Sequence, residues 1–295
     1  MILMVSGRCD IVAFYSKWFI NRYKEGYVDV RNPFYPKMIS RINFDDVDLI
    51  LFCTKNPLPI IPYLKEINKP IVFHITLTPY LKDIEVNVID KKKIIEGIKE
   101  ISKIIGIDNV YVRYDPILLN DKYTVEYHKK MFLRMCDALK GYVKHIIVSF
   151  VDDYKNVRRN MASLKLRDFT ESDYIEIGKS FSKSASSNGM TVQTCFEDIN
   201  LVEYGFIKDD CLSHGLAFKL TGKTYKNWKA RAGNKCNCVA MTDIGVYNSC
   251  SHFCKYCYAN FDEKQVKDNM KMHDPNSSLL IGHIEKDDII KEKKG

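Results

Sequence analysis

Short apolar, β-branched runs recur along the chain, and each is followed by a stretch whose apolar residues return every three or four positions. The strand-like runs are residues 2–5, 49–53, 71–75, 110–113, 145–150 and 191–195. The helix-like stretches are residues 12–24, 60–65, 91–105, 125–139, 154–164 and 171–187. Strand and helix in alternation predict parallel strands joined by crossover helices. The spacing predicts an α/β fold built as a partial or full parallel (β/α) barrel, in one domain over residues 1–295 whose main strands and helices occupy 1–199. Residues 200–237 lack a clear period and are expected to form an irregular insertion. A further strand is expected at 239–245, and the tail KDDIIKEKKG is expected to be charged and frayed.

The strand-like runs end in a recurring polar signal. The first ends in Ser6-Gly7-Arg8-Cys9-Asp10, the second in Thr54-Lys55-Asn56, and the third in Thr76-Leu77-Thr78. The fourth ends in Arg113-Tyr114-Asp115, the fifth in Ser149 and Asp152-Asp153, and the sixth in Thr194-Cys195-Phe196-Glu197. In an α/β barrel these ends open on one face, where active sites sit. Wet loops alone account for polar residues at any one strand end. They account less well for Arg and Asp inside RYDP, or Lys inside CTKNP. Ser6, Lys55, Thr76, Thr78, Arg113 and Asp115 are therefore the candidate site residues on this face. The pairs Arg8/Asp10 and Arg113/Asp115 read equally as substrate ligands and as structural ion pairs. Glu197 and Asp198 are assigned no catalytic role.

Composition narrows the classes. With 46% hydrophobic content over 295 residues, the chain can bury a full-size core. There is no run of eighteen apolar residues, so no membrane span is expected. The start MILMVSGRCD lacks a basic leader and is interrupted by Arg8 and Asp10; it reads as a buried strand rather than a signal peptide, and a cytoplasmic location is expected. The formal charge of +8 would suit an anionic substrate or nucleic acid. The lysines are spread along the chain, however, and no aromatic-plus-basic RNA motif or helix-turn-helix accompanies them.

Ten cysteines are many for such a chain. A disulfide framework suits small secreted domains, whereas clustered cysteines in a reducing compartment more often bind metal or iron–sulfur clusters. Five of the ten fall between Cys236 and Cys257. Within YNSCSHFCKYCYAN, Cys250, Cys254 and Cys257 form a C-x3-C-x2-C array. Three thiolates can hold three irons of a 4Fe–4S cube and leave the fourth iron open. A structural zinc site with His252 or His273 as fourth ligand, a redox pair of Cys254 and Cys257, and inert buried thiols are the alternatives. Cys195, Cys211, Cys236 and Cys238 are numerous enough for a second 4Fe–4S cluster or a closed zinc site; scattered buried cysteines are the alternative. Cys53 and Cys136 read as core.

The triad, with aromatic Tyr256 just before its last cysteine, resembles the signature of the radical S-adenosylmethionine (SAM) superfamily. That resemblance implies that the open iron binds the amino and carboxylate groups of SAM and that Tyr256 packs near the adenine. It also implies an electron donor such as flavodoxin or ferredoxin, reductive cleavage to a 5′-deoxyadenosyl radical, and hydrogen abstraction from an unknown substrate. CTKNPLPI, ITLTPY and YVRYDPIL resemble later strand ends of the spore photoproduct lyase group, in which the triad comes first. The order here implies circular permutation, with first strand, cluster loop and helix moved to residues 238–285. Lys55 is then the candidate for the SAM carboxylate, and Ser6 stands where a Gly-Gly-Glu-like run usually holds the amine. Almost the whole chain also resembles a bacterial family of unknown function, through DIVAFYSKWF, VRNPFYPK, CNCVAMTDIGVYNSC and HDPNSSLLIG. Radical repair or modification of nucleic acid, and a zinc or iron–sulfur protein without SAM chemistry, stand as alternatives.

Overall fold

The computed structural model describes residues 1–153, 155, 158–194, 197–228 and 237–294. Seven strands form one sheet: β1 (Ile2–Val5), β4 (Leu49–Thr54), β5 (Ile71–Thr76), β6 (Val110–Ile117), β7 (His145–Phe150), β8 (Thr191–Thr194) and β9 (Met241–Asp243). Their order is β8-β7-β6-β5-β4-β1-β9, and every ladder is parallel. The expected α/β class with parallel strands is what is observed. The sheet is open, however: among the described residues no ladder joins β8 to β9.

The central strands bury both faces, so alternate side chains enter two different cores. Leu3, Ile50, Phe52, Phe73, Ile75, Val112 and Val148 point into the larger one. There they meet the apolar stripes of α2 (Ser16–Glu25), α3 (Lys91–Ile105), α4 (Val125–Leu139) and α6 (Glu171–Ser187). Phe132 of α4 and Phe181 of α6 stack at 3.7 Å. The opposite set, Ile2, Leu49, Leu51, Val72, Tyr111 and Ile147, packs under Leu212, Ala217, Cys238 and Val239. The expected irregular insertion thus covers the second face. It contains α7 (His214–Thr221) and returns through Val239 N–H to the Leu212 carbonyl and Trp228 N–H to the Cys238 carbonyl.

Several expectations need correction. Residues 12–24 form two helices, α1 (Ile11–Phe14) and α2, because the chain turns at Tyr15. Residues 58–66 are a 3-10 helix, as Pro62 within the stretch has no N–H to donate. The helix expected at 154–164 is reduced to α5 (Arg158–Met161) and a 3-10 turn; Tyr154, Asn156 and Val157 lie outside the described residues. The hairpin of β2 (Tyr27–Arg31) and β3 (Met38–Asn43) was not anticipated. The tail is not frayed: β10 (Ile289–Glu292) pairs in parallel with β3. Although two of its four residues are isoleucines, all four are exposed, as on an edge strand that packs no core.

The seam between β1 and β9 joins the two ends of the sequence. Ile2, Leu3 and Met4 face Met241, Thr242 and Asp243. Asp243 clasps the turn after β1: one carboxylate oxygen accepts from Gly7 N at 3.0 Å and Gly245 N at 2.9 Å, and the other from Arg8 Nε at 2.7 Å. A Cβ at Gly7 would sit 2.8 Å from that carboxylate, so the close approach requires glycine. Arg8 is thereby committed to Asp243 rather than Asp10.

Candidate functional site

The turns at the C-terminal ends of the strands meet the loop after β9 around a cavity of about 290 Å3. The loop's shape comes from its own sequence. Asn248 and Phe253 adopt positive φ, bending the chain twice. Asn260 closes it by accepting from Cys250 N at 2.9 Å and donating toward Cys257 Sγ at 3.6 Å. The loop is also pinned to the turn after β5. Cys254 and Glu85 form a backbone bridge, Lys255 N donates to the Ile84 carbonyl, and Asn87 N donates to the His252 carbonyl. The helix after it, α8 (Glu263–Lys271), holds it through Gln265 and Asn269, both bonded to Asn248.

Cys250, Cys254 and Cys257 all line the cavity. Burial pushes the Cys250 and Cys254 thiols well above their ordinary range. The neighbouring cysteines add to the effect at both, while Lys55 opposes it at Cys254. The three sulfurs are not drawn tightly together: among the described residues no three ligand atoms including them lie within 4.8 Å of one another. A tetrahedral zinc with Zn–S of about 2.3 Å holds its sulfurs only about 3.8 Å apart. Of the candidate fourth ligands, His252 keeps a buried Nδ1 with no hydrogen-bond partner among the described residues. His252 Nε2 bonds Asp10 at 2.9 Å and His273 Nδ1 bonds the Leu280 carbonyl at 2.7 Å.

Ser6, Lys55, Thr76, Arg113, Asp115 and Tyr256 line the same cavity. Thr78 does not; it is buried behind the wall and donates to Glu85 at 2.6 Å. Ser6, at φ 92, accepts from Ile11 N at 2.8 Å, so its oxygen helps start α1. Lys55 Nζ bonds Glu85 at 2.7 Å and lies 5.4 Å above the Tyr256 ring. Arg113 pairs with Asp115, which also accepts from Ser149.

The residue that sequence reasoning missed is Glu85. It is 1% exposed and receives Thr78, Lys55, Lys91 and the Tyr256 hydroxyl. Burial raises its pKa, but the two lysines outweigh burial and bring it down to about 2. A lone Glu in an unpatterned turn carries no local signal; only the lysines and tyrosine converging from other elements define it. Asp10, read with Arg8 equally as a substrate ligand or a structural ion pair, makes no bond to Arg8 among the described residues. Instead it caps α1 through Ala13 N, accepts from Lys55 N, and holds His252.

Cys53, read as core, lines the cavity together with Cys9, and burial lifts both thiols to about 12. Of the second cysteine set, Cys211 and Cys238 line the cavity, and Cys211 is disulfide-bonded. Cys195 and Cys236 lie outside the described residues.

Residues 2–259 match the family model described as Domain of unknown function (DUF1848). The chain belongs to this family. The match runs from β1 through the triad to just beyond Tyr258, so the family spans both the sheet and the cysteine loop that closes on it. No curated protein matches the chain. No helix among the described residues is long and apolar enough to cross a membrane.

Proposed function

We propose that this protein is an iron–sulfur enzyme of the radical SAM type in circularly permuted form. The observation that carries the reading is the parallel ladder between β9 and β1. An antiparallel β9 would send the following loop to the opposite edge of the sheet. The parallel one brings Cys250, Cys254 and Cys257 to the strand ends that bear Lys55, Thr76 and Arg113. In this reading the open sheet is a partial barrel whose first strand is β9.

The donor set fits a 4Fe–4S cluster. Three thiols face one cavity with spacing wider than a single zinc draws together, as expected for ligands to different irons. When bound, cluster and SAM supply a reducing electron and an organic radical, chemistry that no side chain provides. The chain's own residues position and enclose. Asn260 fixes the backbone of Cys250 and approaches the sulfur of Cys257, an outer hydrogen bond of the kind that tunes clusters. Glu85 ties Tyr256 to Lys55, so the triad loop and the β4 end are held as one body. Lys55 and Lys91 place two cations around one carboxylate, leaving net positive charge beside Cys254 for an anionic group.

A second cluster on Cys195, Cys211, Cys236 and Cys238 would need the Cys211 disulfide reduced first; Cys211 and Cys238 face the same cavity. Iron and sulfide measured after anaerobic purification test both. One cube gives about four irons and two give about eight. The triple alanine variant of Cys250, Cys254 and Cys257 loses the first four and the reduced-state EPR signal; retention of iron in that variant refutes the assignment. Reduction with SAM then yields 5′-deoxyadenosine. A protein that holds iron but forms none is a passive cluster protein.

A further inference from the structure

The triad loop carries a histidine whose ring is arranged as a metal ligand. His252 lies between Cys250 and Cys254 and lines the same cavity as the three thiols. It is 3% exposed. Its Nε2 donates to Asp10 Oδ2 at 2.9 Å. That carboxylate is itself fixed: the same oxygen accepts from Lys55 N at 2.8 Å, and the other accepts from Ala13 N at 2.9 Å. The Phe14 ring lies 4.7 Å from the imidazole at 58°, and Asn87 N donates to the His252 carbonyl at 3.0 Å. The turn after β1, helix α1 and the turn after β5 thus hold the ring in one orientation. With the proton of the neutral ring on Nε2, Nδ1 carries the lone pair. This Nδ1 is buried and has no hydrogen-bond partner among the described residues. A buried polar atom left unpaired costs stability unless something outside the chain completes it. A carboxylate on one ring nitrogen and an open lone pair on the other is the arrangement that orients histidine toward a metal.

The spacing of the donors narrows which metal. One nitrogen and three sulfurs are the donor set of a closed zinc site. Among the described residues, however, no three of these ligand atoms lie within 4.8 Å of one another. That is too wide for one zinc and suits ligands to separate irons. Resting on the reaction class proposed above, we propose that His252 Nδ1 is the fourth protein ligand of the cluster, occupying the iron that the thiolates leave open until SAM takes its place. The exchange replaces a neutral imidazole by the amine and carboxylate of SAM, and no electron moves. Asp10 Oδ2 ties the two sides of this exchange together, because it holds both the His252 ring and the backbone of Lys55, the lysine proposed for the SAM carboxylate.

Pulsed EPR on the anaerobically purified full chain, reduced with dithionite, tests this in protein grown with ordinary or 15N-labelled histidine. Without SAM, the reduced cluster should show a nitrogen coupling that changes with the label. Excess SAM should abolish the label-dependent part; the amine that SAM brings is unlabelled and does not contribute to it. His252→Gln should lack the coupling from the start while keeping about four irons, because the three thiolates remain. A thermal melt checks that this variant folds. If it does not, His74→Gln decides, since His74 is the other histidine among the described residues that lines the cavity. Coupling retained in that variant supports His252, and its loss assigns the ligand to His74 and overturns the proposal. A label-dependent coupling that is absent without SAM, survives in His252→Gln or persists in excess SAM also overturns it. With about four irons bound, each of these results leaves the reaction class standing. One zinc in place of iron overturns the reaction class and this proposal with it.

Discussion

Glu85 shows how one buried carboxylate organises a site. Removing its charge leaves Lys55 and Lys91 facing each other beside Cys254. Its pKa is depressed from 4.5 to about 2, so the folded state favours the anion. That stability is fully present above pH 4.5 and is lost as pH falls toward 2. A shift of this size corresponds to about 3 kcal/mol. Glu85→Gln should therefore lower unfolding stability by about 3 kcal/mol at pH 7. Urea titrations at stepped pH should show the gap to the unaltered protein closing between pH 4.5 and 2. A gap independent of pH would mean that the hydrogen bonds matter and the charge does not.

At the scale of elements, the important contact is the shortest. β9 has three residues and no helix of its own against the sheet, so its ladder alone is a weak attachment. Asp243 supplies what the ladder lacks, accepting from Gly7, Arg8 and Gly245 at once. Asp243→Ala leaves these donors without their acceptor and should cost about 2–4 kcal/mol. Hydrogen exchange should speed up in residues 1–7 and 239–245 and stay unchanged in α4 and α6, whose contact through Phe132 and Phe181 lies at the far side of the sheet. If the triad binds iron as proposed, iron content falls in the same variant, because the loop leaves directly from β9.

Over the whole molecule, the sheet and the cysteine loop form one structural body, while the small sheet of β2, β3 and β10 is an attachment to it. Among the described residues, none beyond Asn260 lines the cavity. Truncation after residue 284 removes β10 and the Asp288 partner of Arg31. Exchange in residues 38–43 should accelerate, since β3 loses one of its two neighbours and keeps β2, whereas iron content should not change. Loss of iron on truncation would mean that the small sheet supports the site.

The strands and long helices were legible because burial on two faces, or on one stripe, writes a period into the sequence. β1 and β7, and α3, α4 and α6, lie at the expected residues. The cysteine spacing was legible because it is local. The hairpin β2–β3 was not, since its strands are half exposed and mix polar with apolar residues. Nor was β10, whose pairing uses backbone alone. The cavity was only partly legible. Which side chains point into it follows from strand alternation, but which of them bond to one another depends on turns brought together from far apart in sequence. Glu85 meets Tyr256 across 171 positions, and Arg8 meets Asp243 across 235. The sequence by itself determined the parallel α/β order and the thiol triad, because local periodicity and spacing encode both. Only the tertiary structure decided that the sheet stays open, that Arg8 pairs with Asp243 rather than Asp10, and that Glu85 rather than Ser6 binds the site together, because packing between distant segments sets all three.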